Sequence, residues 1–168
     1  EPRQTQEKFR VREDPLAPRP AYSVGYHMPD RGSPEWYAMG LIDQILVQGQ
    51  DSRLHQKLVQ ETGITGGVFG GVNIGLGNMF NYRGPMLWTV GFIHDPGRSR
   101  EEITTALDEV IGDLRTRPVS PEELERARTK MRSSLYDTFD GAGRIGLVDL
   151  LASYALFDDD PAAVNRIE

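Results

Sequence analysis

The sequence predicts an α+β domain: a largely antiparallel (mixed) sheet of four to six strands with helices packed on one face. Three observations carry that prediction. Apolar residues alternate with period two in neighbouring pairs of segments, the mark of half-buried strands. Between and after those pairs, apolar residues recur with the 3.6-residue helical period. The helical segments open on Ser or Asp followed by Pro or Glu, residues that satisfy the first free N–H groups of a helix.

Taken in order, "EKFRVRED" (7–14) reads as a first strand and is followed by the proline-rich "PLAPRP". "AYSVGYHM" (21–28) alternates cleanly, with Tyr22, Val24, Tyr26 and Met28 on one face. Ser33-Pro34-Glu35 reads as a helix start. Ala38, Leu41, Ile42, Ile45 and Leu46 then follow at helical spacing. A short helix over 53–62 turns Leu54, Leu58 and Val59 inward, and Gly63 stands where a left-handed cap is needed. Residues 64–75 and 85–94 read as two strands separated by "GNMFNYRG", with Met86, Trp88, Val90 and Phe92 sharing one face of the second.

Ser99 and Ser120, each with Glu three residues on, read as capping boxes. The first opens a helix carrying Ile103, Ala106, Leu107, Val110, Ile111 and Leu114 inward. The second opens a longer helix with Leu124, Ala127, Met131, Leu135 and Phe139 inward. "GAGRIG" (141–146) is expected to kink or break it before Leu147, Leu150, Leu151 and Tyr154 continue the stripe, and Asp160-Pro161 starts a further helix.

The length of 168 residues suits one domain with a single core. The polar opening "EPRQTQEKFRVRED", without an initiator Met, reads as a linker entering a strand, so 1–168 is expected to be one domain of a larger protein. A net charge of -6, with Lys and Arg interspersed among Asp and Glu, argues against nucleic acid, which needs a clustered basic surface. No stretch is long and apolar enough to predict a membrane span. Zero cysteines exclude disulfides and thiolate metal sites and give no clue to compartment.

The most conspicuous local feature is the glycine-rich run from Gly66 to Gly77. A phosphate cradle needs glycines at fixed offsets before a helix; "GLGNMF" has Phe80 at the last position, and a strand is expected to follow. Two readings stay open: glycines that permit a bulge or close-packed neighbour, and an open sheet edge that accepts an extended peptide. His27, His55 and His94 do not have the one-turn spacing of a helical zinc site. Asp158, Asp159 and Asp160 read as a loop plus a cap, and Glu122 and Glu123 as acidic residues in a helix's first turn. No segment supplies an acid, a base and a nucleophile together.

"SRLHQKLVQETGI" resembles a helix of the pitrilysin/insulinase family of zinc metallopeptidases, which include mitochondrial-processing-peptidase-like proteins. The matching residues are Ser52, Arg53, Leu54, Gln56, Leu58, Gly63 and Ile64. "SPEELERARTKMRSSLYDTFD" is similar to the family's long helix, and the order of elements fits over nearly the whole chain. The resemblance is to the C-terminal, metal-free domain, since no H-x-x-E-H is present. It implies a metallopeptidase-half-like fold. It also implies zinc in the intact protein's other domain or a partner, and none in this chain.

In active members of that family, an Arg and a Tyr of the second domain reach the substrate carbonyl. The corresponding positions here are Val59 and Gly66, neither of which donates a side-chain hydrogen bond, so no catalytic residue is implied. The expected role is therefore chamber wall, peptide-binding and partner surface. The expected partners are a homologous N-terminal domain or partner peptidase subunit, and peptide substrate. Gly66, Gly67 and Gly70 are the candidate substrate-binding residues. The alternatives are a catalytically dead structural subunit and a free-standing binding module. A bacterial periplasm or cell envelope is expected ahead of cytoplasm.

Overall fold

A computed structural model describes residues 4–75, 78–140 and 145–167. The elements run β1 (Ala21–His27), α1 (Pro34–Leu46), α2 (Arg53–His55) continued by a π-helical segment (Gln56–Glu61), β2 (Phe69–Val72) and β3 (Leu87–Ile93). They continue with α3 (Arg100–Thr116), α4 (Pro121–Asp140), α5 (Ile145–Asp158) and a 3₁₀ segment (Pro161–Arg166). The α+β class is as expected. The described sheet has three strands, fewer than the four to six expected, in the order β1-β3-β2 and wholly antiparallel.

The shortfall has two local causes. Residues 7–14 form no strand: Phe9 instead lies under the guanidinium of Arg100 at the start of α3, and Val11 is 78% exposed. With neither apolar side chain over the core, nothing fixes a register for that segment. The expected strand over 64–75 is cut to Phe69–Val72. Thr65 bridges His94 and Phe69 pairs with Gly91, so residues 66–68 face only 92–93. That mismatch is a β-bulge. At the other end Asn73 takes φ 58, which turns the chain out of the strand.

Strand alternation places Trp88, Val90 and Phe92 of β3 on the helix-covered face, where all three are buried. Tyr22 stacks on Phe92 and Tyr26 leans on Trp88, as the β1 register requires. Leu54, Leu58, Ile103, Leu107 and Leu150 meet them in one core. Phe69, Leu87 and Ile93 point to the opposite, exposed face.

Most helix ends follow the sequence. Ser33 Oγ accepts from Trp36 N–H, and Gly63 takes φ 59. Ser99 and Glu102 form the reciprocal capping box. Ser120 completes only half of one: its Oγ accepts from Glu123 N–H, while the Glu123 carboxylate is held by Arg53. In α1 the inward face is shifted from the expected set: Ala38 is exposed, whereas Trp36, Gly40 and Asp43 are buried. Most of the break expected in "GAGRIG" lies outside the described residues; the helix is present again from Ile145.

Candidate functional site

The segment that follows Ser52 is built from two backbone irregularities in succession. Thr62 N–H bonds Lys57 O five residues back (3.1 Å), and Ile64 N–H bonds Leu58 O (2.9 Å), so the helix ends in a widened π turn. Leu58 is buried within this turn and Val59 only partly so. Arg98 donates to Thr62 O at 3.0 Å and Gly63 O at 3.4 Å, tying the helix end to the loop after β3. The bulge then comes at 66–68. Thr65 Oγ1 holds it by donating to Ile93 O (2.7 Å) and lying within bonding distance of Gly67 O and N–H.

The glycines in this run have different reasons to be glycine. A Cβ on Gly66 or Gly67 would meet nothing within 4 Å. A Cβ on Gly70 would lie 2.3 Å from Thr89 O and 2.9 Å from Val90 Cα, so the two strands approach too closely there for any side chain. Gly71, at φ 140, faces the Asp43 carboxyl. Gly70 thus serves strand packing, while Gly66 and Gly67 leave an open, side-chain-free surface beside Val59's helix.

The histidines are not brought together. His27 pairs with Leu87 at one end of β3 and His94 follows Ile93 at the other, roughly 20 Å of strand away. His55 lies on α2 near Gln60. Among the described residues no three metal-ligating side chains form a group. Several of the acidic residues are held in ion pairs: Asp158 with Arg31, Asp160 with Arg166, and Glu123 with Arg53.

A separate groove of about 560 Å³ opens between α1 and α4. Its walls include Leu41, Met79, Met131 and Leu135, and its lining includes Asp43. Trp88 Nε1 donates to Asp43 Oδ1 at 2.7 Å and Gln48 Nε2 to Oδ2 at 2.9 Å. Gln48 also donates to Gly70 O at 3.1 Å, so one amide ties α1 to β2. Burial pushes the Asp43 carboxyl above the usual aspartate range, and the bonds from Trp88 and Gln48 oppose that rise only in part. Val59, Gly66 and Gly67 lie outside this groove.

The sequence profile described as the peptidase M16 inactive domain matches residues 1–131. The chain belongs to the peptidase M16 family. It is similar to the inactive peptidase domain of a candidate zinc protease from Bordetella parapertussis. That match has a TM-score of 0.64 and 28% identity over 88% of this chain and 79% of that one. It is similar also to a candidate zinc protease from Bordetella pertussis Tohama I, with a TM-score of 0.65 and 30% identity over 92% and 83% of the two chains. A protease from Helicobacter pylori, at 14% identity and a TM-score of 0.71, shares the fold over 87% of this chain and 34% of its own. A comparison with curated proteins gives no match.

The M16 assignment bears out the resemblance carried by the helix after Ser52. It also gives meaning to the residues around that helix. Arg53 is bidentate to Glu123, at 2.8 and 2.6 Å, and reaches Asp113 at 3.1 Å. It therefore fastens the M16 helix to α3 and α4. Ser52 is buried with its Oγ unbonded and caps nothing.

The sequence reading did not single out Asp43 or Arg31. Asp43 had a signal, being a lone carboxylate within the apolar stripe Leu41, Ile42, Ile45 and Leu46. Arg31 had none: its partners, Asp158, Phe80 O and Tyr82 O, come from distant parts of the M16 domain.

Proposed function

We propose that this M16 inactive domain is the non-catalytic half of a zinc-dependent peptidase. It supplies chamber wall, peptide-binding surface and partner contact, while zinc and water attack belong to a homologous domain or subunit. The observation that carries the reading is the local structure at Val59 and Gly66. These positions stand at a π turn and a bulge, backbone features that re-aim neighbouring groups, yet neither offers a side-chain donor to an oxyanion. In this reading, Gly66 and Gly67 let an extended peptide approach the backbone, and Gly70 keeps the adjoining strand in place. The host protein works in a bacterial periplasm or cell envelope.

The test measures peptide hydrolysis and zinc content for the chain alone and for the chain with its homologous domain or partner subunit. Zinc and turnover are expected only in the combined protein. Gly67→Val should weaken peptide turnover there without unfolding the domain, because its Cβ has open space. Hydrolysis by the chain alone overturns the proposal. A correctly folded, metal-loaded assembly with no turnover moves the protein to the structural-subunit reading.

A further inference from the structure

Asp43 is 8% exposed, and no ion pair to it occurs among the described residues. Its carboxylate accepts from two neutral donors, Trp88 and Gln48, one to each oxygen. An ionised carboxylate has about four acceptor sites, so about two remain. A buried carboxylate without a counter-charge is costly, and a cation delivered beside it recovers much of that cost. The groove it lines has an apolar part formed by Leu41, Met79, Met131 and Leu135 and a charged rim of Glu125, Arg128 and Arg132, and its volume lies in the range of small-ligand sites.

We propose that the α1–α4 groove binds a primary ammonium carried on an aliphatic stem, with Asp43 as the anionic floor. The narrow access selects the cation. Asp43 is 8% exposed and each oxygen already accepts one bond, so about one acceptor site per oxygen is left for a compact charge rather than a broad planar guanidinium. An ammonium is a compact charge with three rotatable donors and uses the remaining lone pairs. The stem lies along Leu41, Met79, Met131 and Leu135, where the methionines adapt to its shape. Arg128, with Glu125 3.7 Å away, and Arg132 also line the groove and disfavour a second positive charge on the ligand. A free alkylamine and a lysine of an apolar peptide present the same chemistry. The site does not depend on the chamber-wall reading, since it lies outside the Gly66–Gly67 surface.

The chain's two tryptophans provide the readout. Trp88 Nε1–H is bonded to Asp43, whereas Trp36 Nε1–H is bonded to Tyr82 Oη at 2.7 Å and not to the carboxylate. The ¹⁵N-labelled full chain is titrated at neutral pH with n-hexylamine, n-hexanol and hexanoate, and the two indole N–H resonances are followed. Hexylamine should move the Trp88 signal saturably and leave that of Trp36 in place. Hexanol should bind about tenfold or more weakly, and hexanoate should not bind. Asp43→Asn should reduce hexylamine to the level of hexanol. N-acetyl-Leu-Lys-Leu-amide repeats the titration: a matching shift assigns the site to peptide lysines, and none assigns it to free amines. Equal binding of hexylamine and hexanol by the unaltered chain, or no movement of the Trp88 signal, overturns the proposal whether or not the Asp43 variant folds.

Discussion

Arg53 and Glu123 face each other through two parallel hydrogen bonds, 2.8 and 2.6 Å long, across 70 residues of chain. The fork joins the helix that marks the family to the first turn of α4, and both side chains are about one-fifth exposed. It is a structural contact in a place where an arginine invites a catalytic reading.

Arg53→Lys keeps the charge and loses the fork, and should lower unfolding free energy by about 1–3 kcal/mol. Urea unfolding of the two proteins checks this. Hydrogen bonding from Arg53 holds the Glu123 carboxyl below its usual range. Its stabilising contribution is therefore present above the ordinary glutamate pKa and disappears as pH falls through the depressed folded value. Glu123→Gln should flatten the acid limb of the stability curve.

Asp43 carries the opposite sign. Burial raises its folded pKa, so its contribution is fully present below the usual aspartate value and is lost as pH rises through the folded one. The stability of the native chain minus that of Asp43→Asn should fall over that interval. A difference that is flat with pH, or rises, would show that this carboxyl is not buried as described.

Gly70 and Gly67 should behave oppositely despite lying three residues apart. Gly70→Ala places a Cβ against Thr89 O and Val90 Cα and should cost about 1–3 kcal/mol or abolish folding. Gly67→Ala meets open space and should leave thermal unfolding nearly unchanged. Calorimetry of both variants decides the matter; comparable losses would remove the distinction between packing glycine and surface glycine.

Arg31 is the second long-range clamp. Its side chain is 9% exposed and bonds Asp158, Phe80 O and Tyr82 O. Its guanidinium also lies about 5.5 Å from the ring centres of Trp36, Tyr154 and Phe157. Arg31→Lys cannot reproduce a planar fork among three rings and should cost about 3 kcal/mol. The measurement is again chemical unfolding, with hydrogen exchange at Phe80–Tyr82 showing whether the loop is released first.

These contacts mark what the sequence made legible. Periodicity revealed β1, β3 and the buried face of α3, because apolar side chains there answer to one core. Ser33, Gly63 and Ser99 were readable because a cap is a local event. Phe9 and Val11 alternate like strand residues, and only their position relative to α3 reveals that they join no sheet. The bulge at 66–68 was equally hidden, since a register is a property of two strands. Val59 and Gly66 were found by resemblance, while the Asp43 groove depends on Trp88 arriving from β3 and on Gln48 folding back from the end of α1. A carboxylate in an apolar stripe was visible, but its partners were not.

The widened turn at Gln56–Glu61 has a bearing on any attempt to engineer a functional arginine at Val59. Each residue advances an α-helix by about 100°, so a segment that bonds five residues back falls out of phase with a regular helix. A guanidinium introduced at Val59 would leave the backbone in the direction that this turn sets, so its aim has to be taken from the widened turn and not from the phase of a regular helix.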